Sequence, residues 1–163
     1  MKNFSITAST LIIATSTLFG CASVPTTSTE KSTLAKQMSA PSEGKAGLYI
    51  YRSNTVVGGA LKKDIWVDGE CVGESARGTF FHIEVDGDQT HTLATESEFS
   101  PNLLEVKTES GQNYFVEQTI KMGVFVGGAN LKLMHPTQGQ QDIQKLSMAE
   151  TGKCSKAFPK KDS

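Results

Sequence analysis

Ile65-Trp66-Val67-Asp68-Gly69-Glu70-Cys71-Val72-Gly73, followed after a short polar break by Thr79-Phe80-Phe81-His82-Ile83-Glu84-Val85, is the stretch on which the fold turns. Two β-forming segments flank Asp68-Gly69. A type I′ turn needs positive φ at both central positions and favours that dipeptide, so the pattern predicts a tight hairpin. From Thr79 onward Phe81, Ile83 and Val85 alternate with His82 and Glu84, which gives a strand one dry face and one wet face. The reading is a three-stranded meander over 64–86 that supplies the core.

The same periodicity extends outward. Gly47-Leu48-Tyr49-Ile50-Tyr51-Arg52 is a continuous β-forming run of the kind found in a strand covered on both faces. Asp86-Gly87-Asp88 turns the chain into a strand over Thr90 to Ser97, and Leu103 to Glu109 carries another. Ser110-Gly111-Gln112-Asn113 precedes a long half-buried strand, Tyr114 to Met122, and Leu131 and Leu133 alternate in a last one that His135-Pro136 ends. Gln140 to Met148, with Ile143 and Leu146 three apart, predicts one or two helical turns laid on the sheet. Turn signals at this spacing predict a mostly β chain, an antiparallel β-sandwich or small barrel-like sheet of about seven or eight strands with a short C-terminal helical segment.

Residues 1–20 are a different kind of sequence. Lys2 precedes an uncharged apolar run, Ile6 to Leu18, too short to span a bilayer. Leu18-Phe19-Gly20-Cys21 resembles the lipobox of bacterial lipoproteins, which implies cleavage before Cys21 and acylation of its sulfur. The acyl chains would anchor the protein stably in a lipid bilayer. Ala22 and Ser23 follow Cys21 in place of the aspartate that retains many such proteins in the inner membrane, so the expected location is the outer membrane facing the periplasm. Residues 21–45 are Ser/Thr-rich with Pro25 and Pro41, and read as a lipid-anchored flexible tether spanning roughly 25–30 Å. The β-domain occupies 46–149, and a polar tail runs over 150–163.

Several segments in order, namely Tyr49-Ile50-Tyr51-Arg52, Gly59-Ala60-Leu61, Trp66-Val67-Asp68-Gly69 with Val72-Gly73, Gly78-Thr79-Phe80-Phe81 and Ser110-Gly111-Gln112-Asn113-Tyr114-Phe115-Val116, resemble the small bacterial lipoproteins of domain-of-unknown-function family 2846. The resemblance covers roughly Gly44 to Leu146 and implies an envelope location and a β-rich fold, with no functional residues to carry over. More distantly the chain is similar to short β-domains that follow a Val-Asp-Gly hairpin with a Pro-Gly-x-His turn. Asp86-Gly87 lacks that proline and lies further from His91, so the register over 86–92 stays open.

The chemistry-bearing residues form no motif. A formal charge of -1 with 20% charged residues excludes nucleic acid as a partner class. His82, His91 and His135 are not at metal-ligand spacing, and Glu84, Asp86 and Asp88 make an acidic turn with too few ordered oxygens for a calcium loop. No nucleophile elbow, nucleotide loop or zinc-protease motif occurs, so no catalytic residue, metal or cofactor is expected. Arg52 reads either as a ligand-facing cation or as a strand-end residue paired with a carboxylate. Trp66 reads either as a core residue or, with Tyr49 and Tyr51, as a platform that stacks a glycan.

Once Cys21 is acylated, Cys71 and Cys154 remain with one internal pairing available in an oxidising compartment, which predicts a disulfide; the rival is a buried Cys71 with Cys154 on a loose tail. Val56-Val57-Gly58-Gly59-Ala60-Leu61 and Gly123-Val124-Phe125-Val126-Gly127-Gly128 combine loop glycines with apolar side chains. They form either an apolar interaction rim around Val57 and Phe125 or bulged strands that complete the core. The function expected is a non-enzymatic envelope lipoprotein that binds another envelope protein or helps organise the cell surface. The alternatives are a small-ligand or glycan binder and an inhibitor or immunity-type module. An aromatic-lined hollow would favour the ligand binder, and a flat apolar patch the interaction module.

Overall fold

The structure, a computed structural model, describes residues 22–124 and 126–158. Within them lie the strands β1 (Lys45–Arg52), β2 (Lys63–Val67), β3 (Glu70–Ser75), β4 (Thr79–Asp86), β5 (Thr90–Thr95), β6 (Asn102–Lys107), β7 (Asn113–Lys121), β8 (Gly128–Met134) and β9 (Ser147–Met148), with the helices α1 (Thr29–Ala35) and α2 (Pro136–Ile143). They make a sandwich of two sheets, ordered β8-β7-β1-β4-β9 and β3-β2-β5-β6.

Leu48, Ile50, Phe81 and Val116 of the first sheet meet Ile65, Val67, Val72, Leu93 and Val106 of the second, and these side chains are the core. The outer face of the first sheet is also covered. There Tyr49, Tyr51, Phe80 and Phe115 pack under Ile143, Leu146 and Met148. β1 is therefore buried on both faces, which is why its sequence is a continuous apolar run and not an alternation. Gly139 sits in α2 directly over Phe115, where a Cβ would collide with the ring, so glycine there lets the helix lie close to the sheet.

The hairpin at Asp68-Gly69 forms as expected, with φ of 52° and 82°, the two positive values that a type I′ turn requires. The meander does not. β2 pairs with β3 and β5, whereas β4 crosses to the other sheet and lies between β1 and β9. The break at Ala76-Arg77-Gly78, with Gly78 in the left-handed region, carries the chain over. The strands are also not all antiparallel, since β1 runs parallel to β7 and β4 parallel to β9. Over 86–92, Gly87, Asp88 and Gln89 link the sheets, and β5 pairs with β6 from Thr90↔Lys107.

Two further expectations need correction. The helix begins at Pro136, a residue suited to a first turn, and ends at Ile143; Met148 lies beyond it in β9. Residues 22–45 are not a bare tether. Ser28 caps α1 by accepting from the Lys31 amide at 3.2 Å, Ser32 is buried, and the Tyr49 hydroxyl donates to Ala35 O at 2.9 Å. Asn113 Nδ2 donates to Met38 O and Ser39 O, each at 3.1 Å. Thr26 bridges Ala149, and Val24 packs against the core. The composition that reads as coil is compatible with a strap because its contacts are mostly backbone groups, which leave no mark on side-chain patterning.

The tail is held as well. Cys71 and Cys154 form a disulfide with a Cα separation of 6.0 Å. Asp64, wholly buried, accepts from Ser155 N at 2.9 Å, Ser155 Oγ at 2.8 Å and Lys156 N at 2.9 Å. Three donors satisfy a carboxylate that burial would otherwise penalise.

Candidate functional site

At one end of the sandwich β1 delivers Arg52 and the chain leaves as the loop 53–62. Arg52 is buried, and its guanidinium donates to Leu61 O at 2.7 Å and to Gly58 O. Two of its donors are thus taken by the loop's own carbonyls, and it lines a hollow with Ser53, Thr55, Val57 and Glu117. Burial, and then the nearby Arg77, lower its pKa. The loop is thus folded back on a strand-end cation, and its turn pushes Val56 and Val57 outward.

Two more loops stand beside it. A Cβ on Gly58 would come within 2.6 Å of the Ile120 side chain, and one on Gly127 within 2.6 Å of Leu61 Cδ1, so the segments 53–62 and 122–127 lie against each other. The turn after β5 is tied to the second of these segments through Glu98, whose carboxylate accepts from Val124 N at 2.8 Å and from Val126 N at 3.4 Å. Ala129 N donates to Glu96 O at 2.9 Å just below.

The consequence is an apolar rim. Val56, Val57, Phe99, Met122, Val124 and Val126 are between 56% and 89% exposed, and all six stand on these three loops. The bulged-strand reading fails for the described residues, because the valines point away from the core. Phe125 lies outside the described residues, as does Cys21. The carboxylates nearby are engaged: Glu98 by loop amides, Glu74 by Lys62 at 2.5 Å, and Glu96 by Lys156 at 2.8 Å. Sequence reasoning found two of the three loops and missed the third. Glu98 is separated from its amide partners by 26 and 28 residues, and nothing local in Ser97-Glu98-Phe99 announces that pairing.

The other candidates do not converge. Trp66 is buried, with Phe158 edge-on at 5.7 Å, and Tyr49 and Tyr51 are equally buried, so none offers a face to a sugar. Burial first, then Glu84, holds the Tyr49 hydroxyl up at about 12. The hollow beside Trp66 measures about 120 Å³, below the ~300 Å³ at which small-molecule sites begin. His82 stacks on Tyr49 with centroids 4.3 Å apart, and His135 sits at the start of α2. Among the described residues no three His, Cys, Asp or Glu side chains are grouped to hold a metal.

The opposite end is polar and pinned. His91 is buried, with Nδ1 2.6 Å from Asp68 Oδ2 and Nε2 2.8 Å from Asp86 O. Both ring nitrogens face oxygen acceptors, and only the imidazolium donates at both. Burial pulls its pKa down, but the bonds to Asp68 and Asp86 and their charges outweigh it, and the group titrates above its ordinary 6.5. Lys45 Nζ lies 2.6 Å from Asp86 Oδ1, and Ser110 Oγ donates to Asp88 Oδ2 at 2.6 Å. Lys45 and Ser110 respectively hold those two carboxyls below their usual values.

A family profile described as "Protein of unknown function (DUF2846)" matches residues 42–129. An uncharacterized protein of Haemophilus influenzae is 49% identical over 132 residues, covering 81% of this chain and 77% of that protein. No solved structure matches significantly. The profile spans β1 to the start of β8, the hairpin and all three rim loops, and on these matches the chain belongs to the DUF2846 family.

Proposed function

We propose that this protein is an exported, lipid-anchored module of the cell envelope, held in the outer membrane facing the periplasm through acylated Cys21, and that it works by surface contact and not by catalysis. The observation that carries the reading is the rim. Six large apolar side chains are gathered on one end of a small domain, and soluble monomers rarely leave such a patch uncovered without an interaction to serve. Trp66, Tyr49 and Tyr51, the rings expected to form a glycan platform, are inside the protein. Export is supported separately by the lipobox-like Leu18-Phe19-Gly20-Cys21 and by the Cys71–Cys154 bond, since disulfides persist where thiols are not kept reduced.

Metabolic labelling with a fatty acid, read together with membrane fractionation, tests the anchor. Wild type is expected to label and to fractionate with outer membrane, and Cys21→Ser to lose both. Unchanged labelling and fractionation in that variant would remove the lipoprotein reading.

A further inference from the structure

We propose that the outer edge of β8 is a docking site for an extended segment of another protein, which adds to the first sheet as a further strand and rests apolar side chains on Leu131 and Leu133. The site lies on other residues than the rim and does not depend on the anchor. Four strands end the two sheets, β8, β9, β3 and β6, and the chain covers two of them with its own segments. Thr27 N donates to Met148 O beside β9, and Gly152 N donates to Val72 O beside β3. Among the described residues the other two have no such cover, since β8 pairs only with β7 and β6 only with β5. Ala129 N donates to Glu96 O and Ala129 O accepts from Asn102 Nδ2, so Ala129 turns both backbone groups away from β7. Strand alternation turns those of Leu131 and Leu133 the same way, and beyond Ala129 no described strand pairs with them.

The edge selects its occupant. Ala129, Leu131 and Leu133 share the inner face of the sheet, yet Ala129 is fully buried, Leu131 half-buried and Leu133 46% exposed, so the sandwich opens along β8. A row of unpaired donors and acceptors beside such an opening is complementary to a polypeptide in extended conformation, and strand addition is a general mode of peptide recognition. At the foot of the strand Tyr114, Leu133 and Met134 line a hollow of about 260 Å³, which seats a side chain at the end of the segment. Between the leucines Lys132 stands exposed on the outer face and makes no ion pair among the described residues. The segment that fits is therefore apolar at alternate positions, with a polar or acidic residue between them beside Lys132. A second copy does not fit. The two-fold antiparallel register that pairs both leucines of each copy sets Lys132 opposite Lys132, and like charges so placed repel.

Amide exchange in the isolated full-length protein reads the edge first. Leu131 and Leu133 are expected to exchange faster than Asn130 and Lys132, whose groups face β7, and equally slow exchange at both leucines overturns the proposal. The partner is then read in intact cells, from full-length protein carrying a photo-cross-linking amino acid in place of Asn130, with the same amino acid in place of Glu70 on the covered strand β3 as control. The expected result is an adduct from the Asn130 site and none from the Glu70 site, with mass spectrometry placing the cross-link on a segment of the alternating pattern. Leu133→Pro, which removes an outward N–H, and Leu133→Lys, which sets a charge on the edge, should each lower the yield about tenfold while thermal unfolding stays close to wild type. If the proline variant does not fold, Leu133→Lys decides alone, because a site 46% exposed lets the ammonium reach water. No adduct from the Asn130 site, an adduct with a second copy, a partner segment without the alternating pattern, or a yield left unchanged by the folded variants overturns the proposal.

Discussion

The two ends of the sandwich solve the problem of loop closure in opposite ways. At the hairpin end the turns are short, their acids and bases face one another, and His91 ties Asp68 of one turn to Asp86 of another. At the rim end the turns are longer, and they are held by backbone carbonyls on a buried Arg52 and by backbone amides on Glu98. The hairpin end uses its side chains to hold the fold together. The rim end uses backbone groups for that, which leaves its side chains available to face outward. Substitution should therefore be costly at one end and cheap at the other.

The largest expected effect lies near the hairpin end. Cys71→Ser with Cys154→Ser opens a loop with a sequence separation of 83 residues, and chain entropy sets the loss of stability at about 4 kcal/mol. Denaturant melts of the variant against wild type check it, and a loss below about 1 kcal/mol would mean that the three hydrogen bonds on Asp64 hold the tail unaided. Next comes His91→Leu, which removes one of two donors from the Asp68 carboxylate and from Asp86 O, the others being Thr92 N and Thr108 Oγ1, and should lose about 2 kcal/mol. The same histidine sets a pH dependence. Its folded pKa is raised, so its stabilisation is full below 6.5 and is lost as pH rises through the folded value. Burial lowers His82 and acts in the opposite sense, so the informative quantity is wild type minus His91→Leu. That difference should shrink as pH rises above 6.5, and a constant difference across neutral pH would show that His91 does not titrate there. Smaller again is Glu98→Ala at the rim, about 1 kcal/mol, accompanied by faster amide exchange at Val124 and Val126; unchanged exchange would remove Glu98 as the tie between loops.

The same division explains what was legible in the chain. The Asp68-Gly69 hairpin, the doubly buried β1 and the alternation of Phe81, Ile83 and Val85 are side-chain patterns, and they read correctly because burial is what selects them. The crossing of β4 to the other sheet was not legible, since Phe80 and Phe81 are both buried and a strand covered on both sides does not say which neighbour it pairs with. The docking of α1 and the role of Glu98 were hidden for a common reason. Each depends on a backbone partner far along the chain, Met148 for Thr27 and Val124 for Glu98, and no local spacing records it. The rim was half legible, because glycine beside valine marks an unusual loop but not the direction in which the valine points.

The most direct test of the contrast is a Val57→Ser, Met122→Ser, Val124→Ser triple variant compared with wild type by thermal and denaturant unfolding. If the rim is surface, the unfolding free energy stays within the spread of neutral surface changes, about 0.5 kcal/mol per site. A loss of several kcal/mol, as expected for emptying core sites, would place these side chains in the core and contradict the division between the two ends.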